Sequence, residues 1–145
     1  MASKLKVDEL EGVTTAGSID VTSEGGAVST NLQQGLAKCW VNFNGTGTLS
    51  VRDSLNETSM TDHGTGDYTV NFTNSFNNTD YMVTGSASGN SDASRGYTGK
   101  MSADAQNLPA SASLRTKFGL GSNAVGHGQL YDSVLSMIGI NGDLA

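Results

Sequence analysis

Cysteine, proline and basic side chains are scarce in this chain, and each scarcity closes off a class of protein. Its 145 residues include one Cys, one Pro and 8 Lys or Arg. A lone cysteine, Cys39, leaves no disulfide framework. Beside Trp40 in an alternating stretch, with no His near it in sequence, it reads as a small buried hydrophobe; a nucleophilic thiol needs an electropositive setting. The basic residues (Lys4, Lys6, Lys38, Arg52, Arg95, Lys100, Arg115, Lys117) are scattered, and the formal net charge is −6. No basic face with interleaved aromatics emerges, which argues against nucleic acid and anionic membranes as partners. The longest apolar run falls far short of a membrane span, so no membrane insertion is expected, and Met1–Glu11 is too charged for a signal peptide.

Constellations that carry chemistry are also missing. His63 and His127 lie far apart, and neither sits in a His-x-x-x-His or Cys-x-x-Cys context, so no zinc ligands are assigned. The turn from Asp62 to Asp67 has two carboxylates and two glycines but lacks the spaced oxygen ligands and closing Glu of an EF-hand. Asx-turn geometry and positive φ explain it better. Glycan hydrolysis needs two carboxylates about 5–5.5 Å or 6.5–9.5 Å apart. The available acids, among them Asp53, Glu57, Asp80, Asp92, Asp104, Asp132 and Asp143, fall mostly in turns, and nothing pairs them. No Gly-x-Ser-x-Gly elbow or phosphate-binding glycine loop occurs. The reading is a non-enzymatic protein with no catalytic residue, no metal and no cofactor.

What fills the chain instead is glycine (19 residues) and Ser, Thr and Asn, with 36% of residues hydrophobic. That composition suits short strands and many turns. Ala37–Phe43 and Thr48–Ser54 form a hairpin across Asn44-Gly45, a pair that tolerates φ > 0; Thr46-Gly47 allows a longer or bulged loop. A second hairpin pairs Leu55–Thr61 with Tyr68–Thr73 across residues 62–67, with Tyr68, Val70 and Phe72 on one face. Tyr81–Thr84 and, more weakly, Tyr97–Ser102 follow as strands. Ser111–Phe118 is one-sided, with Leu114, Thr116 and Phe118 together. Val134–Ile140 is apolar on both faces and reads as a central or interface strand. About eight short strands at this spacing predict an all-β antiparallel β-sandwich or jelly-roll-like domain over residues 37–145.

Residues 1–36 differ in texture. Leu5, Val7, Leu10 and Val13 are isolated among polar residues. Lys4–Leu10 alternates as a strand, while Leu10, Val13 and Gly17 also fit one face of a short helix. Ser18–Thr22 is a short strand, and residues 31–38 can form a helical turn after Thr30. No internal partner with enough apolar surface is evident. The segment is therefore expected to anchor or trimerise, with copies wound about an axis or docked in an assembly. The competing reading is a strand added to the edge of the chain's own sheet.

The wording WVNFNGTGT, then RDSLNETSMTDHGTGDYTVNFT, then NNTDYMVTGSAS resembles a module in tail-fibre-like virion structural proteins of tailed bacteriophages, especially marine ones. The match covers roughly positions 37 to 88. It departs from the pattern at Cys39 and Leu55, which replace small or aromatic residues, and at His63, which stands where Asn is usual. The resemblance implies a structural virion protein, made in the host cytoplasm, that forms a homotrimeric fibre-like appendage with other virion proteins and contacts a host surface glycan or protein. The alternative it leaves open is a capsid decoration, head-fibre or tail adaptor protein without receptor binding. Loops carry recognition on such scaffolds. Asn90, Arg95, Tyr97, Asn123 and His127 are accordingly the receptor-binding candidates, and Leu5, Val7, Leu10, Val13 and Ile138 the candidates for the oligomer interface. Arg52-Asp53 resembles a fixed element of the module. It suits either a bidentate Arg–carboxylate pair between subunits or a solvated charge on an open sheet. Trp40 would suit sugar stacking, but at the start of a hairpin strand it reads as core.

Overall fold

The computed structural model describes residues 4–12, 19–23, 25–26, 28–88, 99–103, 108–120 and 130–145. The chain divides into two compact units, Met1–Leu36 and Ala37–Ala145.

In the first unit, β1 (Asp20–Thr22) pairs antiparallel with β2 (Ser29–Asn31). Ser23 N–H donates to the Val28 carbonyl to close this ladder, and Gly26 takes a positive φ of 68° in the turn. One helical turn, α1 (Leu32–Gly35), follows. Residues 4–12 carry no regular structure, so the strand anticipated over Lys4–Leu10 does not form; Val13 and Gly17 of the alternative helix face lie outside the described residues. Their apolar side chains are too widely spaced to cover one another. Among the described residues of this unit none is buried, and Leu5 is 81% exposed.

Among the described residues, the second unit is one antiparallel sheet of eight strands: β3 (Cys39–Asn44), β4 (Ser50–Leu55), β5 (Glu57–Gly64), β6 (Asp67–Phe72), β7 (Met82–Ala87), β8 (Gly99–Ala103), β9 (Ser113–Leu120) and β10 (Ser136–Asn141). Their order across the sheet is β4-β3-β10-β7-β8-β9-β6-β5. The two edge strands are consecutive in the chain, and only Asn56, with φ 58°, separates them. One sharply bent strand thus joins both edges, which doubles the sheet into a sandwich.

Period-two alternation supplies the core. Cys39, Val41 and Phe43 of β3 and Ile138 and Ile140 of β10 point inward to meet Tyr68, Val70 and Phe72 of β6 and Leu114 and Phe118 of β9. Phe43 packs edge-on against Tyr68 (centroids 5.0 Å apart) and Phe118 (5.8 Å). A second aromatic group joins Phe72 to Phe76 at 5.0 Å and Phe76 to Tyr81 at 4.6 Å. Each edge-on pair adds about 0.5–1.5 kcal/mol beyond its buried area.

Three expectations change in detail. Asp62, His63 and Gly64 belong to β5, and the second hairpin turns through Thr65-Gly66 alone, because Gly64 pairs with Asp67. In the first hairpin Asn44 pairs with Ser50, so the loop is the longer variant. Gly45 is required there by contact, not φ: a Cβ would run into the Tyr68 hydroxyl and lie 2.8 Å from its Cζ. Strand β10 is central, paired with β3 on one side and β7 on the other. It is nonetheless buried on one face only, since Ser136, Ile138 and Ile140 are buried while Met137 is exposed.

Candidate functional site

The outward faces of β3, β10 and β7 form a shallow groove of about 530 Å³, within the range of small-molecule sites. Register builds it. One rung runs Leu55–Trp40–Gly139–Thr84, and the next runs Asp53–Asn42–Met137–Ser86. Gly139 leaves the middle strand bare between an indole and a threonine hydroxyl, and that gap is the trough. Thr84 Oγ1 donates to the Gly139 carbonyl at 3.3 Å, which fixes one wall. Arg52 Nη1 on the adjoining strand donates to the Phe43 carbonyl at 3.2 Å and approaches Asn42 Oδ1 at 3.5 Å. That guanidinium is held by its own chain at the bulge between Asn42 and Phe43.

Trp40 is half-buried and lines this groove, which corrects its assignment to the core. The reason is parity: if Cys39, Val41 and Phe43 face inward, Trp40 and Asn42 cannot. The lining residues are Trp40, Val41, Asn42, Thr84, Gly85, Ser86, Met137, Ile138 and Gly139, and none is titratable. The groove can stack an apolar surface and exchange neutral hydrogen bonds. It has no group of its own to move a proton.

Several polar side chains elsewhere hold loops. Asp132 Oδ1 accepts from the Tyr68 hydroxyl at 2.6 Å and from Gly66 N–H at 2.7 Å, tying the loop before β10 to the second hairpin turn. Burial and the Asp132 carboxylate together push the Tyr68 phenol well above its usual value. Asp67 receives a fork from Arg115, Nε to Oδ1 at 2.8 Å and Nη2 to Oδ2 at 2.9 Å. These hydrogen bonds hold its carboxyl below the usual carboxylate range, outweighing partial burial. Asp62 Oδ1 accepts Gly64 N–H at 2.8 Å, as an Asx turn requires. The two carboxylates of this turn are thus each engaged, and among the described residues no cluster of three or more potential metal ligands occurs. Burial pushes the Cys39 thiol up to about 11, in keeping with an inert packed side chain.

Of the candidates from sequence, Asn90, Arg95, Tyr97, Asn123, His127 and Val13 lie outside the described residues. Leu5, Val7 and Leu10 are exposed in the first unit. Ile138 is corrected: it is 3% exposed and packs inside its own sandwich, so one chain already completes its burial. Met137, one residue earlier, occupies the open face instead.

Comparison with protein-family models, with curated proteins and with solved structures gave no match to this chain. The class its own geometry defines is an all-β antiparallel sandwich carrying a neutral groove on one outer face.

Proposed function

We propose that the chain is a non-enzymatic structural protein of a tailed-phage virion, a trimeric fibre-like appendage whose sandwich contacts the host surface. The resemblance of residues 37–88 to the tail-fibre-like module supports this reading. The observation that carries it is the first unit, in which Leu5, Val7, Leu10, Val21, Val28 and Leu36 are each more than half exposed and no described residue is buried. A segment whose described residues bury nothing gains order by association, either with copies of itself or with other virion proteins. Trimerisation also gives weak surface contacts their strength, because a second and third contact become intramolecular once the first has formed.

Light scattering of the purified full chain tests the oligomer: a trimer at micromolar concentration is expected, and a monomer overturns it. Antibody-labelled micrographs of intact particles test the location. Label on the tail fits the appendage; label spread over the capsid shell shifts the assignment to a decoration protein.

A further inference from the structure

Gly139 sits mid-strand in β10, which is paired with a neighbour on each side, where glycine weakens a sheet. Its φ is not left-handed, so the backbone does not call for glycine. A Cβ there would meet only the Thr84 hydroxyl, at 3.2 Å. The consequence of having no side chain is therefore the open trough itself.

The trough has a definite chemistry. Trp40 and Met137 offer apolar, polarisable surface, and Asn42, Thr84 and Ser86 stand along it with an amide and two hydroxyls. No lining side chain is charged, and the chain as a whole carries −6. Arg52 and Asp53 on β4 are turned to local work, Arg52 on the Phe43 carbonyl and Asp53 on Ser54 N–H, and on the other side Lys100 of β8 stands at the register position opposite Ser86. The lining itself offers no counter-charge to an anionic or a cationic ligand. A ligand with one apolar face and a rim of neutral hydroxyls matches both halves of the lining.

We propose that the Trp40–Gly139–Thr84 trough binds a neutral pyranose unit of a glycan, its C–H face on Trp40 and Met137 and its hydroxyls on Asn42, Thr84 and Ser86. This inference deepens the host-contact part of the proposed function and rests on that reading only for where such a glycan is met.

Trp40 is the sole tryptophan, so intrinsic fluorescence of the unmodified full chain reads the trough directly. The protein is titrated with maltose, cellobiose and N,N′-diacetylchitobiose, with glucuronic acid as the charged comparison. A saturable change in Trp40 emission is expected with at least one neutral sugar, at roughly millimolar Kd for a single open site, and none with glucuronic acid. Gly139→Ala, which fills the trough, should weaken binding at least tenfold with its melting transition retained. Ser86→Ala, on an exposed position, should weaken it severalfold without disturbing the fold. Unchanged emission with all three neutral sugars overturns the proposal, as does binding that both variants leave intact. Emission that shifts with protein concentration in the absence of sugar also overturns it, because a second copy then covers the groove. A monomer that still binds sugar removes the trimer and keeps this site; a trimer blind to every sugar does the reverse.

Discussion

Asn56 and Asn74 grip each other across the bend that closes the sandwich: Asn56 Nδ2 donates to the Asn74 carbonyl at 3.0 Å, and Asn74 N–H donates to Asn56 Oδ1 at 2.7 Å. The same Asn56 holds φ 58°, a conformation that asparagine tolerates better than most residues. Asn56→Ala loses both bonds and adds left-handed strain, for an expected loss of about 2–3 kcal/mol. Asn56→Gly loses the bonds but not the conformation and should cost roughly 1 kcal/mol less. Urea unfolding of the two variants measures the difference. Equal losses would mean the backbone at this bend is unstrained.

Tyr68 and Gly45 form a second joint, in which the phenol lies over the bare glycine and donates to Asp132. Tyr68→Phe should cost about 1.5–3 kcal/mol, the range for a hydrogen bond to a charged group. Gly45→Ala should cost at least as much, since its Cβ overlaps the phenol. The pair should be non-additive: with the hydroxyl gone, the added methyl meets less resistance. A double-mutant cycle by denaturant unfolding reads the coupling. Strict additivity would show that the contact stores no energy.

Some of this was legible in the chain and some was not, for physical reasons. Alternation at Tyr68–Phe72 and Leu114–Phe118 assigned the inward residues correctly, because a half-buried strand has only one periodicity to display. In Val134–Ile140 both parities are apolar, so periodicity could not choose between Met137 and Ile138; the sheet chose Ile138. At the start of a hairpin strand Trp40 reads as core, yet with Cys39, Val41 and Phe43 facing inward the parity of the strand puts it outside. The trough depends on Gly139 falling beside Trp40 and Thr84, a register between strands distant in sequence that no local pattern carries. Asn56 lies between Leu55 and Glu57 with no glycine or proline to mark a bend.

Arg115 and Asp67 make stability depend on pH. The folded carboxyl of Asp67 titrates below its unfolded value, so the native state binds this proton less readily. The stabilisation is complete above the unfolded value of about 4 and is lost as pH falls through and below it. Asp67→Asn should therefore flatten the stability profile between about pH 5 and pH 2 and leave its shape near neutrality unchanged. Thermal melts across that window check it. A variant profile parallel to wild type over the acid limb would remove Asp67 as the source.

Leu10 and Ile138 separate association from folding. Ile138→Asp puts an unpaired charge into the sandwich core, where about 4 kcal/mol or more is expected to be lost, and the single chain should unfold or melt far earlier. Leu10 is 55% exposed, so Leu10→Asp should change the melting of the sandwich by no more than about 0.5 kcal/mol. In a trimer held by the first unit, however, each copy loses the burial of one leucine, about 1.5–3 kcal/mol, and replaces it with a charge. Dilution followed by light scattering should show Leu10→Asp dissociating at concentrations where wild type stays trimeric, with circular dichroism unchanged. If Leu10→Asp holds the same oligomer as wild type down to the lowest concentration measured, Leu10 does not carry the association, and the next variant to test is Met137→Asp on the outer sheet face.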